Sequence, residues 1–190
     1  MVRPERIVVN ARPVTQADDI VLRLARQGDE SRLSLLGGAT FLESYAHMLP
    51  VEDVLAHVAH QHTPQVYARW LNDAASRCWL VEFAAGQAPV GYAVVTQPDL
   101  PLPDVGPQDL EIRRIYLLHK YQRAGLGARL MHAVTQHARD AGCRRLLLGV
   151  YSRNEAALAF YERQSFTRVG TRQFRVGAND YFDYILQRLC

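Results

Sequence analysis

The residues best suited to chemistry in this 190-residue chain surround two glycines, Gly125 and Gly127. They lie where a predicted strand passes through a short loop into a predicted helix. The first-turn amides of a helix have no intrahelical partner and stand at the positive end of the helix dipole, so they attract anions. Glycine also lets a phosphate approach the backbone without a Cβ in the way. Residues 122–128 therefore predict a phosphate-binding cradle, to which Arg123 and Arg129 add charge.

Paired glycines at a helix start are also typical of a loop that only needs flexibility. A dinucleotide-binding fingerprint would require a third glycine three residues after Gly127, where Leu130 stands. A Walker loop would require Gly-Lys-Ser or Gly-Lys-Thr, which the chain lacks. Neither common nucleotide motif fits, so the surrounding sequence has to decide.

That surrounding sequence resembles the GNAT superfamily of acyl-CoA-dependent N-acetyltransferases. The segment Gln122-x-x-Gly125-x-Gly127 matches the family's pyrophosphate motif. Asn154, followed by the pair Phe160-Tyr161, is similar to its second motif, and both motifs lie within residues 110–166. The resemblance implies acetyl-CoA as cosubstrate and no metal.

The resemblance also implies which residues bind acetyl-CoA. In the family the strand before the cradle (here 110–117) and the next strand (145–150) splay apart, and pantetheine binds between them. The implied binding residues lie on the first of these strands, in the cradle and on the second motif: Ile115, Leu117, Gln122, Arg123, Ala124, Gly125, Leu126, Gly127, Ala128, Asn154 and Tyr161.

Three catalytic roles follow from the same resemblance. The backbone N–H of Leu117 would donate to the thioester carbonyl, where negative charge grows as an amine attacks. Tyr161 would protonate the departing thiolate, although Phe160-Tyr161 is equally typical of a core aromatic pair. Glu111 would be the general base; a chain of waters and a purely solvated strand carboxylate are the alternatives.

Asn154 and Ser165 delimit the second motif. Asn154 is a predicted helix N-cap as well as an implied cofactor contact. Ser165 stands where the family usually has glycine, so the end of this helix is expected to carry backbone strain of about 1 kcal/mol.

Phe41, Glu43 and Tyr45 are the implied substrate-binding residues, since the N-terminal helices of the family cover the acceptor channel. Glu43 would attract a cationic amine. The implied reaction moves acetyl to a primary amine of a small molecule, polyamine-like or other, by direct attack in a ternary complex. The alternatives are acetylation of a protein N-terminus or lysine, a non-catalytic CoA-binding sensor and a nucleic-acid-binding domain.

Three histidines, His57, His60 and His62, form the one cluster that could suggest a metal. Positions 57 and 60 share a helix face, but His62 falls off it and no acidic or cysteine partner lies within a further turn. We expect a surface helix end and no metal site.

The predicted elements give an α/β fold with a GNAT-type mixed, mostly antiparallel sheet of six to seven strands and helices on both faces. Before residue 110 we expect a strand at 7–11, a helix starting at 15–18 and running through Ile20 to Ala25, a helical layer over 41–71 and a hairpin formed by 78–83 and 90–96. After the proline-rich loop 97–109, the expected order is strand 110–117, helix 125–141, strand 145–150, helix 154–163 and strands 166–176 and 181–189. These elements form a single domain over 1–190, with acceptor-side helices at about 15–76 and an acetyl-CoA-binding core at about 110–166.

Composition and charge limit where the protein is expected to act and what it is expected to bind. The three cysteines are widely spaced, and no apolar run is long enough for a membrane span or a signal peptide, so we expect a cytoplasmic protein with no membrane partner. The net charge is +3, yet residues 111–153 hold nine Lys and Arg against two Asp and Glu. This basic stretch favours a polyphosphate-bearing small molecule over nucleic acid once the motifs are considered. A homodimer is compatible with all of this.

Overall fold

The computed structural model describes residues 19–176 and 179–190. In these ranges the chain forms seven strands and five α-helices. In chain order they are β1 Ile20–Leu24, α1 Glu30–Tyr45, α2 Val51–Gln61, α3 Pro64–Asn72, β2 Arg77–Phe83, β3 Pro89–Thr96, β4 Asp109–Leu117, α4 Leu126–Asp140, β5 Arg145–Tyr151, α5 Glu155–Arg163, β6 Thr167–Val176 and β7 Asn179–Leu189. A single 3₁₀ turn, His119–Tyr121, lies between β4 and α4.

The strands form one sheet in the order β1-β2-β3-β4-β5-β7-β6. Every neighbouring pair is antiparallel except β4 and β5, which are parallel. Alternate side chains of β2 show how both faces are covered: Trp79 and Val81 pack in the core under α4 and α5, whereas Leu80 packs with Leu33 and Tyr67 of α1 and α3. The predicted α/β fold with a mixed sheet and helices on both faces is confirmed.

The helix predicted through Ile20 to Ala25 is wrong, because β1 occupies Ile20–Leu24. The apolar spacing fits both a helix and a strand, and pairing with β2 decides between them: Ile20 lies opposite Phe83 and Leu24 opposite Trp79. The expected start of that helix at 15–18 and the strand at 7–11 lie outside the described residues.

The N-terminal helical layer is longer than predicted, because α1 begins at Glu30 rather than near Phe41. The pair Gly37-Gly38 weakens the helical pattern in sequence. In the fold Gly37 faces the Tyr67 hydroxyl and the His62 ring, and a Cβ there would collide with both. Tight packing between α1 and the segment from 62 to 67 therefore favours glycine inside this helix.

The remaining predicted elements agree with the structure to within a few residues at each end. The proline-rich segment from 97 to 108 is a loop whose Leu100 and Leu102 cover Leu147 and Ile185 of β5 and β7. In the described ranges, no helix has the length and apolar character needed to cross a membrane.

Candidate active site

The two parallel strands at the centre of the sheet separate after three paired positions. Asp109 lies opposite Arg145 and Glu111 opposite Leu147, and the pairing stops there. Both strands continue, β4 to Leu117 and β5 to Tyr151. Their C-terminal halves therefore border an opening in the sheet, here called the slot.

A β-bulge in β4 accompanies this separation. Val95 of β3 lies opposite Ile112, but the preceding residue Val94 lies opposite Arg114, so Arg113 is the extra residue. A bulge bends its strand and increases the local twist, which turns β4 away from β5.

The bulge also reverses which side chains face which layer. Before it, Ile112 packs under α4; after it, Ile115 and Leu117 do so. Tyr116 instead packs with the core beneath α1 and α3, and Arg114 lies over the Tyr67 ring. Without the extra residue, Leu117 and Tyr116 would exchange faces, since side chains alternate along a strand.

The backbone of Leu117 faces the slot. The amide of Leu118 donates to the carbonyl of Val90 at 2.9 Å, and Leu117 lies opposite Gly91. In an antiparallel pair, bonded and non-bonded positions alternate, so the N–H groups of Leu117 and Ile115 point away from β3. They point toward β5, which does not pair with them.

The predicted cradle follows directly after β4. Gly125 is the N-cap of α4 with φ +77°, and Arg123 also has a positive φ of +62°. Residues 122–125 and Ala128 are exposed. Among the described residues, no turn or loop hydrogen bond uses the amides of 123 to 128. The amides at this helix start are therefore available to an anion.

The two glycines of the cradle differ in what the protein itself requires. The backbone at Gly125 is left-handed, where a Cβ adds strain. A Cβ on Gly127 would meet only ordinary contacts, 3.6 Å from both Leu117 and Phe160. Packing alone therefore does not demand glycine at 127.

Gln122 and Glu43 hold the loop between the slot and the cradle. Gln122 Nε2 donates to the Leu117 carbonyl at 3.2 Å. The amide of His119 donates to Glu43 Oε2 at 2.9 Å. Glu43 itself is exposed. The structure therefore places this predicted substrate-binding carboxylate as a tie between α1 and the loop after β4.

The second motif forms α5 with both predicted ends. Asn154 caps the helix, its Oδ1 accepting from the Ala157 amide at 3.1 Å. At the other end the amides of Ser165 and Phe166 donate to the carbonyls of Glu162 and Tyr161, and Ser165 has φ +63°. This is the left-handed helix ending that favours glycine, so Ser165 adopts the backbone conformation from which the predicted strain would arise.

Tyr161 is buried between Phe160 and Phe166, whose rings lie edge-on to it at 5.4 and 5.7 Å. Within the described part of the chain, no hydrogen bond to its hydroxyl is found. Burial raises the pKa of this phenol, and Tyr116, from the opposite face of the sheet, raises it further. The phenol therefore stays protonated at neutral pH.

Glu111 lies at the closed end of the slot, where β4 and β5 are still paired. It is 1% exposed. Its Oε2 accepts from the Asp99 amide at 2.8 Å, and Arg113 Nη1 lies 3.1 Å from both carboxylate oxygens. The carboxylate ties the 97–108 loop to the bulge, and its role as a base stays a prediction.

Phe41 and Tyr45 lie one turn apart on α1, with ring centroids 4.7 Å apart. Phe41 stacks on His57 of α2, with ring centroids 3.9 Å apart and planes 9° apart. The pKa of Tyr45 is raised, chiefly by the neighbouring Tyr116 hydroxyl and then by burial. The structure thus brings Tyr45 together with Tyr116, a residue that the motifs did not identify.

The expectation that the three histidines form a surface helix end is wrong for His62, which is 5% exposed. Its Nδ1 lies 2.9 Å from the Tyr67 hydroxyl and 3.0 Å from Arg114. Burial lowers the pKa of His62 to about 2, with Arg114 adding to the effect. Burial likewise lowers the pKa of His57 to about 4, while His60 is exposed. Both inner rings are therefore neutral and pack against aromatic side chains, His57 on Phe41 and His62 beside Tyr67. Among the described residues, no group of three potential metal ligands occurs.

This geometry agrees with a comparison of the sequence with known families. A sequence model of the acetyltransferase (GNAT) family matches residues 41–166, which include the slot, the cradle and α5. The chain belongs to the GNAT family of acetyltransferases. It is an acyl-CoA-dependent N-acetyltransferase.

Two curated relatives of this acetyltransferase carry the same general name. It is 32% identical over 160 residues to an uncharacterized N-acetyltransferase of Mycobacterium bovis, covering 84% of this chain and 97% of the relative. It is 34% identical over 98 residues to an uncharacterized N-acetyltransferase of Lactobacillus delbrueckii subsp. lactis, covering 52% of this chain and 57% of that protein.

Solved structures share the fold of the acetyltransferase. PaiA N-acetyltransferase from Thermoplasma acidophilum in complex with coenzyme A has a TM-score of 0.69 at 15% identity, covering 90% of this chain and 99% of that one. Ribosomal-protein-alanine N-acetyltransferase from Brucella melitensis has a TM-score of 0.66 at 19% identity, covering 90% and 99%. At these identities the likeness is one of fold.

Proposed function

We propose that this acetyltransferase moves acetyl from acetyl-CoA to a primary amine of a small molecule, by direct attack while both substrates are bound. The observation that carries the proposal is the slot. The unpaired N–H of Leu117 faces it, the Tyr161 hydroxyl has no partner among the described residues, and the cradle amides stand at its end.

The residues present fit acetyl-CoA. The amides after Gly125 and the guanidinium of Arg123 suit a diphosphate, which is doubly anionic or more. A Cβ on Gly127 would contact Leu117 at the edge of the slot, so the absence of a side chain at 127 suits the passage of pantetheine from the cradle into the slot. Pantetheine carries amide groups, and the unpaired backbone of Ile115 and Leu117 offers them hydrogen-bond partners.

Acetyl-CoA would supply an activated thioester, and the residues of the chain would do the rest. The Leu117 amide would bind the oxygen on which charge develops, an effect worth about 3 to 4 kcal/mol for a fixed donor. Tyr161 would deliver a proton to the departing sulfur, since a neutral phenol can donate to a thiolate held beside it.

Direct attack is supported by the state of two of the three thiols. Burial raises the pKa of Cys78 to about 12 and that of Cys143 to about 12. Cys143 also lies before the N-terminal end of β5, its sulfur donating to the Arg145 carbonyl. A thiol must lose its proton to act as a nucleophile, so neither residue is suited to carry an acyl group.

A small acceptor is favoured by how the acceptor side is closed. Phe41 and Val54, from α1 and α2, pack against Val176 at the end of β6. Asn179 Nδ2 of β7 donates to Asp53 Oδ2 at 2.7 Å. These contacts cover one side of the space in front of the slot, which suits a small amine better than a folded protein surface.

The test is a thiol-release assay with acetyl-CoA and a panel of amines: spermidine, kanamycin, free amino acids, and a peptide with a free N-terminus. We expect turnover of a small amine, with initial-rate patterns that require both substrates in one complex. If calorimetry shows CoA binding but no amine is acetylated, the result would instead support a non-catalytic CoA-binding sensor. If only the peptide is acetylated, the result would instead support a protein acetyltransferase.

A further inference from the structure

Asp183 is a buried carboxylate in β7 with one oxygen unused. It is 5% exposed. Arg172, its partner in β6, donates from Nε at 3.0 Å and lies with Nη2 at 2.9 Å, and both contacts go to Oδ2. Within the described ranges, no hydrogen bond to Oδ1 is found. Among the described residues, Oδ1 is not one of the buried side-chain atoms that lack a partner, so this free oxygen faces solvent and is open to a ligand.

Asp183 also lies at the open end of the slot. It is opposite Tyr151, the last residue of β5, in the register of the sheet. Its partner Arg172 lies flat on β5, where a Cβ on Gly149 would come 2.6 Å from Nη2. The absence of a side chain at 149 thus lets the Arg172–Asp183 pair sit directly against the strand that borders the slot.

The negative charge of Asp183 interacts electrostatically with the hydroxyls of Tyr45 and Tyr116 near the slot. It contributes to the raised pKa of Tyr45 on α1 and to that of Tyr116 on β4. Tyr116 in turn raises the pKa of Tyr161. Asp183 therefore belongs to the same group of interacting side chains as the proposed acid, but approaches from the acceptor side.

We propose that Asp183 binds the ammonium group of the acceptor through Oδ1 and takes one of its protons, so that a neutral amine attacks. This rests on the proposed function above. One proton of the ammonium passes to Oδ1 and then to water. As the N–C bond forms and the C–S bond breaks, the sulfur gains a proton from Tyr161. The nitrogen loses its second proton to water, and water returns a proton to the Tyr161 phenolate.

Glu111 is less suited to that task. Both of its oxygens accept from Arg113, and one also accepts from the Asp99 amide. It lies at the closed end of the slot, under the 97–108 loop. Asp183 has instead an open oxygen at the other end.

The proposal predicts a specific pH dependence. Burial raises the pKa of Asp183, and Arg172 offsets part of that rise. The other titratable groups that interact with it are the phenols of Tyr45 and Tyr116, which are neutral in this range, with Tyr151 opposite on β5. Because only the carboxylate can take a proton, kcat/KM should fall as the pH drops through the pKa of Asp183.

The test compares Asp183→Asn with Asp180→Asn. Asp180 lies in the same strand and is ion-paired to Arg175, at 2.7 Å, but is exposed. Each protein is assayed with every panel amine that the wild type turns over, spermidine first, and acetyl-CoA affinity is measured by calorimetry. We expect Asp183→Asn to lower kcat/KM for the amine by about 10²-fold and to remove the acidic limb of its pH profile, since general base catalysis is worth that much. Acetyl-CoA affinity should stay within about twofold, as should every property of Asp180→Asn.

Equal kcat/KM in the two variants, with wild-type turnover intact, would overturn this inference alone. No turnover of any amine by the wild type would overturn the proposed function and this inference with it. If Asp183→Asn does not fold, Asp183→Glu is used instead, because it keeps a negative carboxylate to pair with Arg172. That variant should retain the acidic limb with a raised KM for the amine, and a lost limb with unchanged KM would contradict the proposal.

Discussion

The amide of Leu118 donates to the carbonyl of Val90 at 2.9 Å, and this bond determines which way the backbone of Leu117 faces. Because bonded positions alternate along an antiparallel pair, the Leu117 N–H must point into the slot. A donor that belongs to the strand cannot rotate away as a side chain can. The geometry proposed for the oxyanion contact is therefore set by the pairing of β3 with β4 before any ligand binds.

Tyr161→Phe tests the proposed acid. The ring packing against Phe160 and Phe166 remains, so the fold and acetyl-CoA affinity should be unchanged, while kcat falls by about 10²-fold. Steady-state kinetics and calorimetry measure the two quantities. Tyr181→Phe, at the tip of the β6–β7 hairpin, is the control for loss of a hydroxyl. Unchanged turnover in Tyr161→Phe would remove its role as acid.

Gly127→Ala separates cofactor binding from stability. The added Cβ meets protein atoms only at 3.6 Å, and alanine is the better helix former by about 1 kcal/mol, so the melting temperature should not fall. The same Cβ projects where we place the pantetheine arm, so CoA affinity should drop about tenfold or more, or about 1.4 kcal/mol. Gly106→Ala, in the loop before β4, is the control. Wild-type CoA affinity in Gly127→Ala would contradict the proposed path.

Ser165→Gly should stabilise the protein. Ser165 has φ +63°, a conformation that costs a residue with a Cβ about 1 kcal/mol, and its side chain makes no hydrogen bond among the described residues. Replacement by glycine should raise the melting temperature by about 2 to 4 °C for a chain of this length. Ser165→Ala keeps the Cβ and should not. Calorimetric unfolding of both variants distinguishes conformational strain from loss of the hydroxyl.

The free energy of unfolding should decrease below about pH 6 because of the two inner histidines. Burial lowers the pKa of His62 to about 2 and of His57 to about 4, so both stay neutral in the fold. In the unfolded chain they take up protons below about pH 6.5. Stability is therefore fully present above that pH and is lost as the pH falls, by about 1 kcal/mol per pH unit for His62.

Urea unfolding at pH 7, 6 and 5 measures that slope. His62→Asn removes the titrating group and should flatten the dependence, even if it lowers stability overall. His60→Asn, at the exposed position two residues earlier in the last turn of α2, should leave the slope as it is. The same slope in His62→Asn as in wild type would show that His62 does not account for it.

Sequence identified those parts of the site that depend on local chain geometry. The cradle and α5 were predictable because glycine at a helix start and asparagine at a helix N-cap act within one turn. The opening between β4 and β5 was implied by family resemblance alone, since strand separation is a property of two segments whose paired residues, such as Asp109 and Arg145, are 36 positions apart.

The parts that sequence missed depend on contacts between distant segments. The burial of His62 requires Gly37 of α1, which lets the ring approach the helix backbone. The free oxygen of Asp183 depends on the orientation of Arg172 across the hairpin. The bulge had a signal in hindsight: the adjacent arginines at 113 and 114 interrupt the alternation of β4.

Because Arg113 is an extra residue in β4, the side chains before it and those after it alternate between the two faces of the sheet in opposite order. Exchanging half of this strand with that of a relative should therefore be tolerated when the crossover falls at 113 and when both parents carry the insertion. A crossover that deletes it would rotate the whole downstream half, moving Tyr116 toward the wrong layer. Libraries built by recombination of such enzymes should treat this position as a fixed junction.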